Sequence, residues 1–225
     1  MGSFVLFFLL FASLLVPSRV FAQEPPPRIG PYAVDFHLSV PRFGDDPYVA
    51  ASRGLAVAEL PGTGLGVSAG AHVYLPRTGV VTFGIGGEVL IGSSHFETPP
   101  PIVTTVGTTT TTTVSKLRSV TQTFKTISPQ ISMNFGNGHG WSYLSGGIGR
   151  SVWSIVLDNG TPLPVDDEVL GTINYGGGAR WFAKKHLAFS LDVRMYRIDA
   201  STAESLYPPS PQTLLLVISG GISVK

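Results

Sequence analysis

GTINYGGGARWFAKKHLAFSLDVRMYRI, residues Gly171 to Ile198, is the stretch that decides the fold. It divides into two strands about a very short turn at Ala183–Lys185. In the second strand Leu187, Phe189, Leu191, Val193 and Met195 share one face. Ala188, Ser190, Asp192, Arg194 and Tyr196 share the other. Period-2 alternation with the polarities so separated marks a β-strand lying between two media. The first strand, Thr172–Phe182, sets Ile173, Tyr175, Ala179 and Trp181 against Thr172, Asn174 and Arg180. Two settings fit such a hairpin. One is a half-buried sheet in a soluble sandwich. The other is a membrane barrel with apolar residues toward lipid and polar residues inside.

Outward from the hairpin the pattern recurs. Thr213–Val224 follows it. Tyr32–Val40, Gly64–Leu75, Val80–Ile91, Ile127–Phe135 and Trp141–Val156 precede it, the last with its facing blurred by Gly146, Gly147 and Gly149. Pro129 cannot donate a ladder bond, which predicts an edge, bulge or rim position. Eight strands result, and their connections alternate. Pro76–Gly79, Gly136–Gly140 and Ala183–Lys185 are short; Pro41–Gly62, Ser93–Ser119, Asp158–Glu168 and Asp199–Gln212 are long. Sorting tight turns to one side and long loops to the other is what a transmembrane barrel requires. A sandwich has no such reason. Stretches of roughly ten alternating residues suit a tilted membrane strand. Tyr32, Phe135, Trp141, Trp153 and Trp181 lie near strand ends, as interfacial girdles would. The tract Thr108–Thr113 either extends strands beyond a membrane or forms a solvated loop.

The N-terminus reads as a secretory signal, residues 1–22. About thirteen apolar residues from Phe4 to Val16 are too few to span a bilayer, and Val20-Phe21-Ala22 offers a cleavage site. Residues 23–31, rich in proline, read as an extended tether outside the core, and 32–225 as the barrel. The 15 basic and 14 acidic side chains nearly cancel. Without a basic stripe, nucleic acid is not an expected partner. With no cysteine there is neither a disulfide framework nor a thiolate metal site.

On this strand and loop pattern, and on the segment NYGGGARWFAKKHLAFSLDVRMY, the chain resembles the small eight-stranded outer-membrane barrels of diderm bacteria, the group of OmpA-like and OmpX-like proteins. The resemblance implies an all-β, antiparallel up-and-down transmembrane barrel in the outer membrane, after signal cleavage. It implies outer-membrane lipid, lipopolysaccharide and the barrel-insertion machinery as partners, and a monomer. Such barrels usually end in an aromatic residue that the machinery reads; here the end is Ile222-Ser223-Val224-Lys225.

An eight-stranded barrel has room inside only for its own side chains. The alternation turns Asp35, His37, His72, Glu88, Gln130, Asn134, Arg150, Arg180, Asp192 and Arg194 inward. Of these, Glu88, Gln130, Arg150, Arg180, Asp192 and Arg194 are the expected polar network, because enclosed charges must pair or meet water. The network either fills the barrel or gates a narrow pore by exchanging partners. Catalysis finds little support. Ser93-Ser94-His95 with Asp46 is the one nucleophile-and-base set worth testing, and no cofactor is implied. His37, His72, His95, His139 and His186 are dispersed, with no pair at metal-ligand spacing. Gly84–Gly87 and Gly176–Gly178 precede no helix and are not phosphate loops. The expected function is non-enzymatic: structural, adhesive or surface-exposed. The alternatives are a narrow porin-like or apolar-ligand channel and a soluble lipocalin-like barrel with the strand faces reversed.

Overall fold

The computed structural model describes residues 27–97, 103–106, 109–112, 118–158, 160–202 and 209–225. The expected signal segment, residues 23–26 of the tether, the Pro99–Pro101 run, Thr108 and Thr113 lie outside these. Eight long strands close into one barrel: β1 (Tyr32–Arg42), β2 (Leu65–Tyr74), β3 (Val81–Glu97), β6 (Ser119–Asn137), β7 (Gly140–Leu157), β8 (Leu170–Lys184), β9 (Leu187–Ile198) and β10 (Thr213–Val224). Each pairs antiparallel with its neighbours in the chain, and β1 pairs with β10 to remove the last edge. The second long loop holds its own small hairpin, β4 (Val103–Val106) with β5 (Thr109–Thr112). Thr109–Thr112 of the threonine tract therefore pair with Val103–Val106 of the same loop and stay apart from the barrel ladder. No described helix is long and apolar enough to cross a membrane, which bears only on helices.

Several strands run longer than their alternation suggested. β3, β6 and β7 span 17, 19 and 18 residues, well past the roughly ten a membrane needs. Of Ser93–Ser119, expected as loop, Ser93–Glu97 continue β3 and Ser119 opens β6. The facing of residues changes character along these strands. From Ile127 to Phe135, the odd positions of β6 are apolar or Pro129 and exposed, while Ser128, Gln130, Ser132 and Asn134 are buried. From Ser119 to Lys125 the chemistry swaps: Val120 and Phe124 are fully buried, and Thr121, Thr123 and Lys125 lie outside. β3 does the same, with Leu90 inside and Ser93, His95 and Glu97 outside; in β7, Trp153 and Ile155 lie inside and Arg150 outside. The parity of the strand never slips, but the medium outside changes. An apolar exterior with a polar lumen is stable in lipid. A polar exterior with an apolar interior is stable in water, where each buried side chain contributes about 1.5–3 kcal/mol.

Pro129 sits in mid-barrel, at neither edge nor rim. It pairs with Gly87 on one side. Toward β7 the ladder lapses between Ile127–Arg150 and Gln130–Gly147, where the missing N–H leaves a gap. Parity also corrects the aromatic girdle. Tyr32, Phe135 and Trp181 face outward, but Trp141 and Trp153 are buried in the lumen.

Both mouths are closed. At the long-loop end, residues 43–62 fold in over the apolar layer. A short helix, α1 (Pro47–Ser52), starts where Asp46 accepts from the backbone N–H of Tyr48 and Val49, with Pro47 in the first turn. It drops Val49 and Ala50 onto a core with Phe43, Leu55, Leu60, Leu90, Phe124 and Leu215. At the short-turn end, Ala33, Tyr74, Trp141 and Tyr143 form a second cluster, flanked by Ile29 and Phe182. Residues 27–31 therefore do not hang free. Gly138 N–H donates to the Pro27 carbonyl at 2.5 Å, and Tyr74 N–H to that of Pro31 at 2.8 Å.

Candidate functional site

The lumen between the two closures carries the expected polar network. Arg180 on β8 donates from Nε and Nη2 to the two carboxylate oxygens of Asp35 on β1, at 2.8 and 2.6 Å. Ser223 also donates to Asp35. The guanidinium lies 4.2 Å from the Tyr143 ring centroid, and Tyr143 donates to Asp192 at 2.7 Å. Asp192 in turn accepts from Arg194 at 3.1–3.2 Å. Arg194 donates further to Asn174 at 2.9 Å and Ser145 at 2.8 Å, and its Nε stands 3.7 Å from Glu88. Tyr196 donates to Glu88, and Gln130 to Asn174 at 3.1 Å. In the barrel order, β9 and β3 stand opposite one another. The Arg194–Glu88 and Tyr196–Glu88 contacts therefore cross the full width of the lumen.

Five of the six network residues foreseen from sequence are thus brought together: Glu88, Gln130, Arg180, Asp192 and Arg194. Arg150 is not among them. It shares the exterior face of β7 with Leu144 and Ile148 and is exposed. The cause is strand parity: Gly146, Gly147 and Gly149 hid which face of β7 turns inward. Tyr143, Ser145, Asn174 and Tyr196 join the network in its place. Asn174 and Tyr196 already stood on the polar faces of the hairpin, so their share in it was legible.

Several buried polar atoms lack a partner among the described residues: both ring nitrogens of His72, Tyr74 Oη, Gln130 Oε1, Asn134 Oδ1, Trp141 Nε1 and Asn174 Nδ2. Left dry, each would cost about 1–3 kcal/mol; in a polar chamber they call for internal water.

A second buried ion pair was not foreseen. Arg53, in the first long loop, donates from Nε and Nη2 to Asp166 Oδ1 at 3.2 and 2.8 Å, with both side chains almost fully enclosed. Asp166 also accepts from the backbone N–H of Ile155 and Leu163. Arg53 reaches Ser210 at 3.0 Å. One guanidinium thereby ties three long loops together over the barrel mouth. With its side-chain amide turned to match its neighbours, Gln122 accepts from Trp153 Nε1 at 2.8 Å and donates to the Pro61 carbonyl at 3.1 Å. No local motif marks a loop arginine as buried; only the unfavourable exposure of a loop rich in Val49, Ala50, Leu55 and Leu60 hints that the loop folds inward. At the opposite mouth Lys225 donates to the Gly138 carbonyl and lies 3.8 Å from the Phe182 ring centroid. Partial burial lowers the pKa of its ammonium.

The set tested for catalysis does not assemble. Ser94 points inward and donates to the Thr63 carbonyl at 2.9 Å. His95 points outward, 3.0 Å from Thr121 Oγ1 and 3.3 Å from Glu97. Ser94 and His95, on opposite faces of one strand, cannot share a proton; Ser93 shares the outer face with His95, but the His95 ring meets Thr121 and Glu97. Asp46 serves as the helix cap. Among the described residues no cluster of His, Asp and Glu could hold a metal ion.

A closed eight-stranded up-and-down barrel with an apolar belt outside and a charged, packed lumen is an outer-membrane-type β-barrel. Its backbone is similar to that of Neisserial surface protein A, with a TM-score of 0.52 at 10% identity, over 87% of this chain and 97% of that one. Ail of Yersinia pestis follows at a TM-score of 0.48 and 9% identity, over 86% and 95%. The N-terminal barrel of Pseudomonas aeruginosa OprF follows at 0.39 and 9%, over 86% and 96%. At such identities the likeness speaks to fold alone, and only the first exceeds 0.5. No family profile matches the sequence, and no curated protein matches it.

Proposed function

We propose that this chain is a non-enzymatic outer-membrane barrel with a structural, adhesive or envelope-surface role, and that its lumen is filled and does not conduct. It would reach the outer membrane of a diderm bacterium after signal cleavage, through the barrel-insertion machinery, and work as a monomer beside lipopolysaccharide. The observation that carries the reading is the contact of Glu88 with Arg194 and Tyr196 across the full lumen. Ions would have to pass this bar, the apolar layer above it and the aromatic cluster below. What remains for interaction is the exterior and the long loops.

One observation favours the narrow-pore alternative. Asp192 and Glu88 both approach the Arg194 guanidinium, so the pair could exchange. The test is planar-bilayer conductance of the refolded protein, after a heat-dependent gel shift has established a closed barrel. The filled reading expects no steady current from the wild type. A steady current would overturn it in favour of the pore. Recovery in the soluble periplasm with no gel shift would overturn the membrane reading itself.

A further inference from the structure

Arg150 stands exposed on the outer wall, where its charge is open to an anionic partner. It stands on the outer wall beside Lys125 of β6: Arg150 pairs with Ile127 and Lys125 with Val152, so the two cations are diagonal neighbours roughly 7–8 Å apart. Both are exposed, and neither forms an ion pair among the described residues. Like charges so placed repel; among the described residues the one carboxylate near them is that of Asp199, which lies against Gly171, the partner of Arg150 on β8. They sit at the level where the exterior of β6 and β7 changes from apolar to polar. Thr121 and Thr123 lie outside above Lys125; Ile127, Ile131 and Ile148 lie below.

Directly beneath the two cations the wall is hollow. Pro129, Ile131, Gly146, Ile148, Ile173 and Tyr175 line an open depression of about 1090 Å³. It coincides with the lapse in the β6–β7 ladder at Pro129, and Gly146, on the outer face of β7, leaves it without side-chain filling. A pair of cations at headgroup depth over an apolar hollow is complementary to one kind of occupant, an acylated lipid carrying phosphate.

We propose that the β6–β7 wall is a seat for a phosphate-bearing lipid of the outer leaflet, its phosphate between Lys125 and Arg150 and an acyl chain in the hollow below. This rests on the outer-membrane reading above. Phosphate accepts charge-assisted hydrogen bonds from both an ammonium and a guanidinium, and the bound anion removes their repulsion. The hollow selects against a free phosphate, which has nothing to place there.

The experiment is native mass spectrometry of the detergent-purified barrel incubated with diphosphoryl lipid A, with its dephosphorylated form as comparison. Wild type should retain the phosphorylated lipid at least about tenfold better than K125A/R150A does, the scale of removing two cations from an anionic surface. It should also prefer it to the dephosphorylated form by a similar factor. K184A/K185A, at the short-turn end, should retain it like wild type. I148W fills the hollow and leaves both cations in place, and should lower retention as well. Equal retention by wild type and K125A/R150A, each showing the heat-dependent shift of a closed barrel, would overturn the seat and leave the membrane reading intact. Absence of that shift in the wild type would overturn both.

Discussion

Replacing Arg180 with methionine tests whether the lumen is filled. Arg180 meets Asp35 through two short hydrogen bonds, and its side chain is 2% exposed against 7% for Asp35. Methionine keeps the apolar stem and removes the charge. Asp35 then retains only the Ser223 hydroxyl. Breaking a buried pair by removing one partner costs about 3–5 kcal/mol, because the remaining charge is left without compensation. Asp35→Leu strands the guanidinium and should cost a similar amount. The double variant removes both charges, and such apolar replacement is often neutral or stabilising. The two single losses should therefore fail to add by several kcal/mol. The assay is urea unfolding in thin bilayers, followed by tryptophan emission and the heat-dependent gel shift. The barrel should remain non-conducting in all three variants, since the closures above and below are untouched. A loss under about 1 kcal/mol for each single variant, adding in the double, would mean that water screens the pair. That result would refute the argument for a filled interior.

Arg53→Ala should loosen the closure at the long-loop end. Asp166 keeps its two backbone donors, so a loss near the lower bound, about 3 kcal/mol, is expected. It should appear as at least about a hundredfold faster amide exchange in residues 43–62, with the barrel strands unchanged. Ile131→Arg places a charge on the lipid-facing belt and should destabilise folding into bilayers by about 2–4 kcal/mol, whereas Thr123→Arg, beyond the apolar zone, should cost about 0–1; equal effects would contradict the placement of the membrane. A Cβ on Gly178 would come within 2.1 Å of the Leu191 carbonyl oxygen and 2.6 Å of Tyr143 Oη, so Gly178→Ala should cost about 1–3 kcal/mol in urea unfolding. Gly44, with nothing near its Cβ position, should tolerate alanine within about 0.5 kcal/mol.

Strand number, pairing order and most of the lumen were legible because alternation is local. A strand such as Leu187–Ile198 declares both faces without reference to its neighbours. What parity alone could not deliver was Arg150, because three glycines around it carry no polarity to mark a face. The same gap misassigned Trp141 and Trp153, which tryptophan's preference for interfaces placed outside and the register placed within. The Arg53–Asp166 pair was illegible for a different reason. Its partners come from loops 113 residues apart, and no periodicity extends across that distance.

A stronger signal was present and lay in the phase. In Val120-Thr121-Gln122-Thr123-Phe124-Lys125 the apolar residues fall at even positions; in Ile127 to Phe135 they fall at odd ones. A slip of register would explain such a switch in a soluble sheet. Here the ladder to β3 runs unbroken through it, from Glu97–Ser119 to Val81–Phe135. With pairing continuous, only the surroundings can have changed, so the switch marks where lipid gives way to water. The outer part of the chain then obeys the rules of a soluble barrel: it buries Phe124, Trp153 and Ile155 and must be capped. Loop 43–62 and the Arg53–Asp166 pair follow from that need. The lower part obeys the rules of lipid and must pair its enclosed charges instead. The two interiors cannot be exchanged, and Lys125 and Arg150 stand on the outer wall where one set of rules replaces the other.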